Sequence, residues 1–161
     1  MTSPDPSPNA AHVHPWKISD VVLFPLLGAA LVLEWFWPTS SGLPWTICGA
    51  LGLGICAAGF WLINRSKHEL DAADQPSLPG APTTRLITTG PFAYSRNPNY
   101  LGAMIAGIGF ALLFDALLVF AALCIGGFVL EVWMIRPEER YLAGRFGTEY
   151  EAYTKATRRW F

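Results

Sequence analysis

A thirteen-residue segment, residues 90–102, combines turn residues, aromatic side chains, a cation and a helix start. Its opening Gly-Pro pair predicts a turn. Asn97 is typical of an N-cap and Pro98 of the first helical position, where a missing N–H costs nothing. Free N–H groups at such a helix start favour an anionic ligand group, and Arg96 beside them is a candidate catalytic residue. In the alternative interpretation Asn97 only caps the helix and Arg96 is anchored among lipid headgroups.

A second polar group lies at the end of the last apolar run. Glu131 is inside that run and Arg136 follows it. A carboxylate within a membrane is a functional candidate by default, so we regard both residues as candidate catalytic residues. In a regular helix Glu131 would share a face with Ile135 and Glu138, although Pro137 should distort that register. Alternatively, Glu131 is simply neutralised by Arg136 or protonated.

The composition favours a membrane protein. Of the 161 residues, 52% are hydrophobic and only 14% are charged, and the mean hydropathy is +0.33, which is typical of one small integral membrane domain. A net charge of −1 argues against nucleic acid as a partner. The three cysteines lie in apolar runs without ligand spacing, so we expect them to be buried and predict no metal site; they are Cys48, Cys56 and Cys124.

We predict an all-α integral membrane protein with about four transmembrane helices. Runs of about twenty apolar residues match the thickness of a bilayer core. The predicted spans are residues 18–37, 45–64, 98–114 and 116–135. Residues 1–17 lack the apolar content for a core and are predicted to be a disordered tail, which leaves 18–161 as a single domain. Residues 138–161 are typical of an amphipathic helix along the membrane surface, with a break at Phe146-Gly147.

Small residues recur in the second span at a spacing that lets helix backbones approach closely. Ala50, Gly54 and Ala58 form one such series, and Gly52 and Cys56 form another. We expect these series to pack against neighbouring helices.

The distribution of cations predicts the topology. All eleven Lys and Arg residues belong to the N-terminal tail, the connection between the second and third spans, or the C-terminal segment. By the positive-inside rule, both termini and that connection lie in the cytoplasm. We therefore expect an integral membrane protein whose polar residues collect on the cytoplasmic side.

The C-terminal half carries the following motifs: Gly90-Pro91-Phe92-x-x-x-Arg96-Asn97-Pro98-x-Tyr100-x-Gly102, then Glu138-Glu139, then Phe146-Gly147-x-x-Tyr150-x-x-Tyr153. In this order, and separated by an apolar hairpin, they resemble the isoprenylcysteine carboxyl methyltransferase family with its bacterial relatives and the phospholipid methyltransferases. The resemblance covers about residues 84–161.

The resemblance implies an S-adenosylmethionine-dependent methyltransferase acting on a lipophilic acceptor, which is prenylcysteine-like, an isoprenoid or a phospholipid. The positions that correspond to cofactor-binding residues of the family are Leu86, Ile87, Phe92, Asn97, Pro98, Asn99, Tyr100 and Glu138. A carboxylate can accept charge-assisted hydrogen bonds from the cofactor's ammonium group, and aromatic rings can face its sulfonium.

Two positions depart from the family pattern. Asn97 stands where the eukaryotic enzymes have His, and Met134 stands where the family has an arginine for the substrate carboxylate. The second departure argues against an isoprenylcysteine carboxylate as substrate. Two alternatives remain open: an NADPH-dependent reductase resembling the membrane sterol reductases, and a non-enzymatic membrane module with a degenerate site.

Overall fold

The computed structural model describes residues 19–75 and 83–161, and this part of the chain is helical, as the sequence predicts. The helices are α1 (Ser19–Phe36), α2 (Trp45–Ala72), α3 (Pro98–Leu113), α4 (Leu117–Leu130), α5 (Arg136–Phe146) and α6 (Thr148–Ala156). A short 3₁₀ helix, Gly90–Ala93, precedes α3, and a π-helical turn, Glu131–Ile135, joins α4 to α5. The predicted disordered tail, residues 1–17, lies outside the described residues.

Helices α2 and α3 touch backbone to backbone. A Cβ atom added to Gly59 would lie 2.4 Å from the Ala106 nitrogen, and one added to Gly52 would lie 2.5 Å from the Leu113 nitrogen. Cys56, between these two glycines, donates its Sγ–H to the Ala106 carbonyl oxygen at 3.4 Å. No side chain larger than hydrogen fits at either glycine, so the two helices pack as closely as their backbones allow.

Only one of the two predicted small-residue series forms this contact. The Gly52 and Cys56 series faces α3, as expected, whereas Ala50, Gly54 and Ala58 are exposed, so the prediction that they pack was wrong. Positions 52, 56 and 59 share the face of α2 that meets α3, whereas positions 50, 54 and 58 share a different face, which is exposed.

The remaining core lies between α1, α3 and α4. Its fully buried members are mostly small: Ala30, Ala111, Ala116, Val119, Ala122 and Leu123. The expectation for cysteine holds for Cys48 and Cys56, but Cys124 is exposed on α4 and the prediction of burial was wrong there. Exposed apolar side chains on these helices are consistent with a lipid environment, where burial is not required.

Among the described residues, two helical segments are long and apolar enough to cross a membrane. They are Trp45–Ala72, which is α2, and Leu117–Phe146, which runs unbroken from α4 through α5. Pro25–Phe36 and Pro98–Leu113 are apolar but shorter. At 1.5 Å per residue, the 28 residues of α2 extend about 42 Å, longer than a hydrocarbon core of about 30 Å. Its last turns, beyond the predicted end at Asn64, are polar.

The π-helical turn changes which side chains share a face. The Arg136 N–H donates to the Glu131 carbonyl, five residues back rather than four, and Pro137 follows at once. One additional residue per turn rotates the following helix by about one position. The Pro137 distortion expected from the sequence therefore takes the form of a π turn, and Glu139 replaces Glu138 on the face of Glu131.

At the opposite end of the molecule, two acids hold the turn between α3 and α4. Glu34 accepts hydrogen bonds from the Thr39 hydroxyl at 2.6 Å and the Leu118 N–H at 3.1 Å. Asp115 accepts from the Ser40 hydroxyl at 2.6 Å and the Ser41 N–H at 2.9 Å. Hydrogen bonds from Ser40, and then from Ser41, lower the pKa of Asp115 below its ordinary value.

Candidate functional site

The segment before α3 is fastened at several points to the end of α2. Gln75, which is buried, accepts hydrogen bonds from the N–H groups of Thr84 at 2.9 Å and Arg85 at 3.1 Å. Gly90 has a φ of 58°, and a Cβ there would lie 2.6 Å from the Glu69 carboxylate. The predicted turn at Gly90 is confirmed, and its positive φ favours glycine.

The same segment is bonded to the C-terminal end of the described chain. The Arg96 N–H donates to the Arg158 carbonyl at 2.9 Å, and the Ser95 hydroxyl donates to the Arg159 carbonyl at 3.1 Å. The Tyr153 hydroxyl donates to the Phe92 carbonyl at 2.7 Å. We call these contacts between residues 92–96 and residues 153–159 the polar junction.

Residues 138–161, whose end is held by the polar junction, do not form the predicted amphipathic helix along the membrane surface. In place of one broken helix along the surface, the chain forms α5, α6 and an extended end beyond Ala156. The break at Gly147, where φ is 51°, is confirmed. Tyr150 and Tyr153 are buried against the junction; burial raises the pKa of Tyr150 to about 12 and also raises the pKa of Tyr153.

Arg96 is turned into the protein. Its Nε and Nη2 atoms donate to Glu139 Oε1 at 3.2 and 2.9 Å. Its Nη1 atom donates to the carbonyls of Thr154 and Thr157 at 3.2 and 2.9 Å. The side chain is 13% exposed. Every guanidinium nitrogen therefore has a protein partner, and the arrangement favours a positioning role for Arg96 over anchorage among headgroups.

Glu139 continues this network toward Glu131. Arg159 Nη2 lies 2.7 Å from Glu139 Oε2, and Arg159 Nη1 lies 3.1 Å from Glu131 Oε1. Arg136 Nη2 lies 3.0 Å from the same Glu131 oxygen. Together with Arg96, the four side chains Glu139, Arg159, Glu131 and Arg136 form what we call the charge ladder. The hydrogen bonds that Arg159 donates to Glu139 raise the pKa of Arg159 further above its ordinary value. Glu131 is thus neutralised by Arg136, as the second interpretation of the sequence proposed, and also by Arg159.

Glu138 lies next to the charge ladder but on a different face of α5. The Tyr100 hydroxyl donates to Glu138 Oε2 at 3.5 Å, which is a long contact. The structure therefore brings together two members of the predicted cofactor set, one from the start of α3 and one from α5.

The start of α3 differs from the predicted cap. Asn97 occupies the N-cap position and Pro98 begins the helix, but the Asn97 side chain makes no capping bond. Its Nδ2 atom instead approaches the Arg159 carbonyl at 3.5 Å. Asn99 Oδ1 is buried and has no hydrogen-bond partner among the described residues. A buried acceptor without a donor is costly, so a ligand donor at Asn99 would remove that cost.

The other members of the predicted cofactor set lie just before the helix start. Leu86, Ile87 and Phe92 are partly buried. Four residues that hold the segment were not predicted as site residues: Gln75, Glu139, Tyr153 and Arg159. The acidic pair and the Tyr-x-x-Tyr spacing were visible as motifs, but no local pattern marks Gln75 or Arg159.

Residues 47–149 match the model of the phospholipid methyltransferase family. The chain belongs to this family. The match confirms the resemblance seen in the sequence. It includes α3, Tyr100 and Glu138 and ends before Tyr153 and Arg159.

Among curated proteins, this chain is similar to the cobalt-zinc-cadmium resistance protein CzcN of Cupriavidus metallidurans. The two are 29% identical over 84 residues, which is 52% of this chain and 38% of CzcN. The matched region therefore spans well under half the length of that relative. No solved structure matches the chain.

Membership in the phospholipid methyltransferase family and two long apolar helices together support a membrane location. The family uses S-adenosylmethionine as its methyl donor. The residues present fit that molecule chemically: Asn99 Oδ1 offers an unused acceptor, Glu138 offers a carboxylate, and Tyr100 offers an aromatic ring. Met134, which the sequence resemblance places at the position of the family's substrate-carboxylate arginine, is 1% exposed and offers no charge.

Proposed function

We propose that this protein is an S-adenosylmethionine-dependent methyltransferase that modifies a lipophilic acceptor from within a bacterial inner membrane. The observation that carries the proposal is the meeting of two sequence-distant motifs of one methyltransferase family. Tyr100 and Glu138 lie in contact, and Arg96 and Glu139 form an ion pair beside them. Family membership supports the reaction class, and the contacts support a role for these particular residues.

In this proposal the cofactor is held between the start of α3 and α5. Glu138 accepts hydrogen bonds from its ammonium group, since ionic hydrogen bonds are the strongest that a carboxylate makes. Asn99 Oδ1 receives a donor that the protein does not supply. Tyr100 is in contact with Glu138 and adjacent in sequence to Asn99. The N–H groups at the helix start suit the cofactor's carboxylate. Leu86, Ile87 and Phe92 provide the apolar wall.

The charge ladder has a different task. S-adenosylmethionine, when bound, supplies a methyl group that is made electrophilic by its sulfonium sulfur. Methyl transfer is an in-line displacement, so the protein contributes alignment and exclusion of water. Arg96 positions the segment 92–96 through its bonds to Glu139. Glu131 and Arg136 lie at the far end of the ladder, and the Arg136 side chain, 55% exposed, is the cation there that can meet an acceptor.

The proposed topology has four spans, with α1 and α3 as the shorter pair. Both termini and the polar junction lie on the cytoplasmic side, in accord with the distribution of cations. The site would then receive a soluble cofactor from the cytosol and an acceptor from the bilayer.

Calorimetric titration of detergent-purified protein with S-adenosylhomocysteine tests the cofactor, with NADPH titrated in parallel. We expect binding of S-adenosylhomocysteine only. A native-state ligand at a hundredfold excess over Kd stabilises by about 2.7 kcal/mol, so a thermal shift should accompany it. Binding of NADPH alone would overturn the proposal in favour of a reductase, and binding of neither by folded protein would favour a non-enzymatic module.

Variants then test the residues. Glu138→Gln removes the charge but keeps the shape, and loss of one charged hydrogen bond of about 1.5–3 kcal/mol weakens binding by roughly tenfold or more. Asn99→Ala should weaken binding less. The matched control is Glu149→Gln, an exposed acid on α6, which should bind as the wild type does. Equal affinity of Glu138→Gln and the control would exclude Glu138 from the site.

A further inference from the structure

A groove of about 470 Å³ lies between α2, the segment before α3 and the extended end of the chain. Helix α2 contributes Trp61 and Arg65, α3 contributes Leu101, and the extended end contributes Arg158, Trp160 and Phe161. The space is sufficient for a phosphate-bearing headgroup and the first part of one acyl chain. It is too small for a complete two-chain lipid, so the remainder of such a molecule would extend into the bilayer.

The aromatic lining is exposed to an unusual degree. Trp61 is 66% exposed and Phe161 is 79% exposed. Large aromatic side chains in such positions are typical of the membrane–water interface, where one part of the ring contacts apolar material and another contacts water. The groove therefore has the lining expected at the level of lipid headgroups.

The position of the groove along α2 agrees with this level. Trp61 lies about 24 Å along the helix axis from Trp45, at 1.5 Å per residue. The sequence of α2 changes one turn later from apolar to charged residues, beginning at Arg65. The groove thus spans the boundary at which α2 leaves the apolar layer.

The charges of the lining have one sign. Arg65 and Arg158 approach the groove from different elements, and none of its lining residues is acidic. Arg65 is 44% exposed and uses its Nη1 atom to pair with Glu69 at 3.1 Å. The guanidinium of Arg158 forms no ion pair within residues 19–75 and 83–161. Two arginines over an apolar floor complement an anionic group that is attached to a hydrocarbon chain.

We infer that this groove binds an anionic phospholipid, with Arg65 and Arg158 on the headgroup phosphate and Trp61, Trp160 and Phe161 along the chain. The inference does not depend on methyl transfer. Pro98 lies in both the groove lining and the predicted cofactor segment, so an occupied groove would support one wall of that segment.

Native mass spectrometry of the full chain, without S-adenosylhomocysteine, tests the inference. The protein is exchanged into detergent with phosphatidylglycerol or phosphatidylcholine of identical acyl chains, and retained lipid is counted. We expect one retained phosphatidylglycerol and about tenfold weaker retention of phosphatidylcholine, because the choline cation offsets the charge of its phosphate and a charged hydrogen bond contributes about 1.5–3 kcal/mol.

Arg65→Gln and Arg158→Gln should each reduce retention of phosphatidylglycerol by roughly tenfold and reduce retention of phosphatidylcholine less, because its choline cation already offsets the charge of its phosphate. The control is Lys155→Gln, an exposed cation on α6 outside the groove, which should retain lipid as the wild type does. Thermal unfolding of each variant verifies that it is folded. Equal retention of the two lipids by the wild type, or an equal loss in Lys155→Gln, would overturn the inference and reduce the groove to non-selective lipid contact.

Because cofactor binding and lipid retention are measured separately, the two proposals can fail independently. Selective retention of phosphatidylglycerol by a protein that does not bind S-adenosylhomocysteine would support the groove and reject the methyltransferase. Binding of S-adenosylhomocysteine by a protein that retains the two lipids equally would support the methyltransferase and reject the groove.

Discussion

Two junctions hold α3 in place, and they are built in opposite ways. Along its length α3 meets α2 through glycine, alanine and cysteine, with backbone atoms in contact. At its start it meets the C-terminal end of the chain through arginine, glutamate and tyrosine, in the polar junction and the charge ladder. The first junction depends on the absence of side chains, and the second depends on the charged side chains of the ladder being satisfied together.

The two junctions should therefore respond differently to a change. A backbone contact has one geometry and tolerates no added atom. An ion network can rearrange if a ligand or solvent replaces one member. The adjustable junction is the one that borders Tyr100 and Glu138, where the proposed cofactor would enter and leave.

The largest expected effect comes from removing the shared carboxylate of the ladder. Glu139→Gln leaves Arg96 and Arg159 with a neutral partner, and removing one member of a buried ion pair costs about 3–5 kcal/mol. Glu139 is 15% exposed, so we expect the lower end of that range. Thermal unfolding in detergent measures the loss, and hydrogen exchange should increase in residues 92–96 and 153–159 but not along α2.

An increase in exchange that spread equally over α2 would contradict the separation of the two junctions. Glu149→Gln again provides the control, because Glu149 is exposed on α6 and outside the ladder.

The next effect tests the backbone contact. Gly59→Ala places a methyl group where 2.4 Å separates it from the Ala106 nitrogen, so the helices must move apart, and overpacking of this kind costs about 1–3 kcal/mol. Gly54→Ala is the matched control in the same helix, since a Cβ there meets nothing within 4 Å. The control should be neutral or slightly stabilising, because alanine is the better helix former. Equal melting temperatures for the two variants would show that α2 and α3 are not in backbone contact.

The smallest effect lies just beyond the far end of α3, where Asp115 accepts hydrogen bonds from Ser40 and Ser41. Asp115 has a φ of 49°, a conformation that asparagine also adopts, so Asp115→Asn keeps the backbone and removes the charge. Because its hydrogen bonds lower the pKa of Asp115 in the folded protein, its stabilising contribution is present above the unfolded pKa of about 3.9. The contribution is lost as the pH falls through the lower, folded value.

The difference in melting temperature between wild type and Asp115→Asn should therefore be small at pH 7 and should disappear on acidification below that pKa. A difference that grew as the pH fell would contradict a lowered pKa of Asp115 in the folded protein.

The helices and the family could be predicted from the sequence because both depend on local patterns. Apolar runs marked the helices, Gly147 marked a break, and closely spaced motifs in residues 90–102 marked the segment before α3. The faces were harder to predict. Gly54 and Gly52 have similar neighbours in sequence, and only the position of α3 decides which one is buried.

The partners of Arg96 could not be predicted for a related reason. Glu139 is 43 residues away in sequence, and its choice over Glu138 depends on the π turn. Pro137 indicated that the register would change but not in which direction. Likewise, Asn97 has the correct residue type for a cap, yet its amide approaches the Arg159 carbonyl, a partner that no local pattern identifies.

The π turn at Glu131–Ile135 also has a genetic consequence. A single-codon deletion among positions 132–135 would remove the additional residue of this turn and restore a regular α-helix. Glu139 would then follow Glu131 by seven residues instead of eight, so it would stay on the face of Glu131 and keep its place in the charge ladder. At this point of the chain the loss of one residue would be absorbed locally, whereas the same deletion in a regular helix would rotate every later side chain away from its partners.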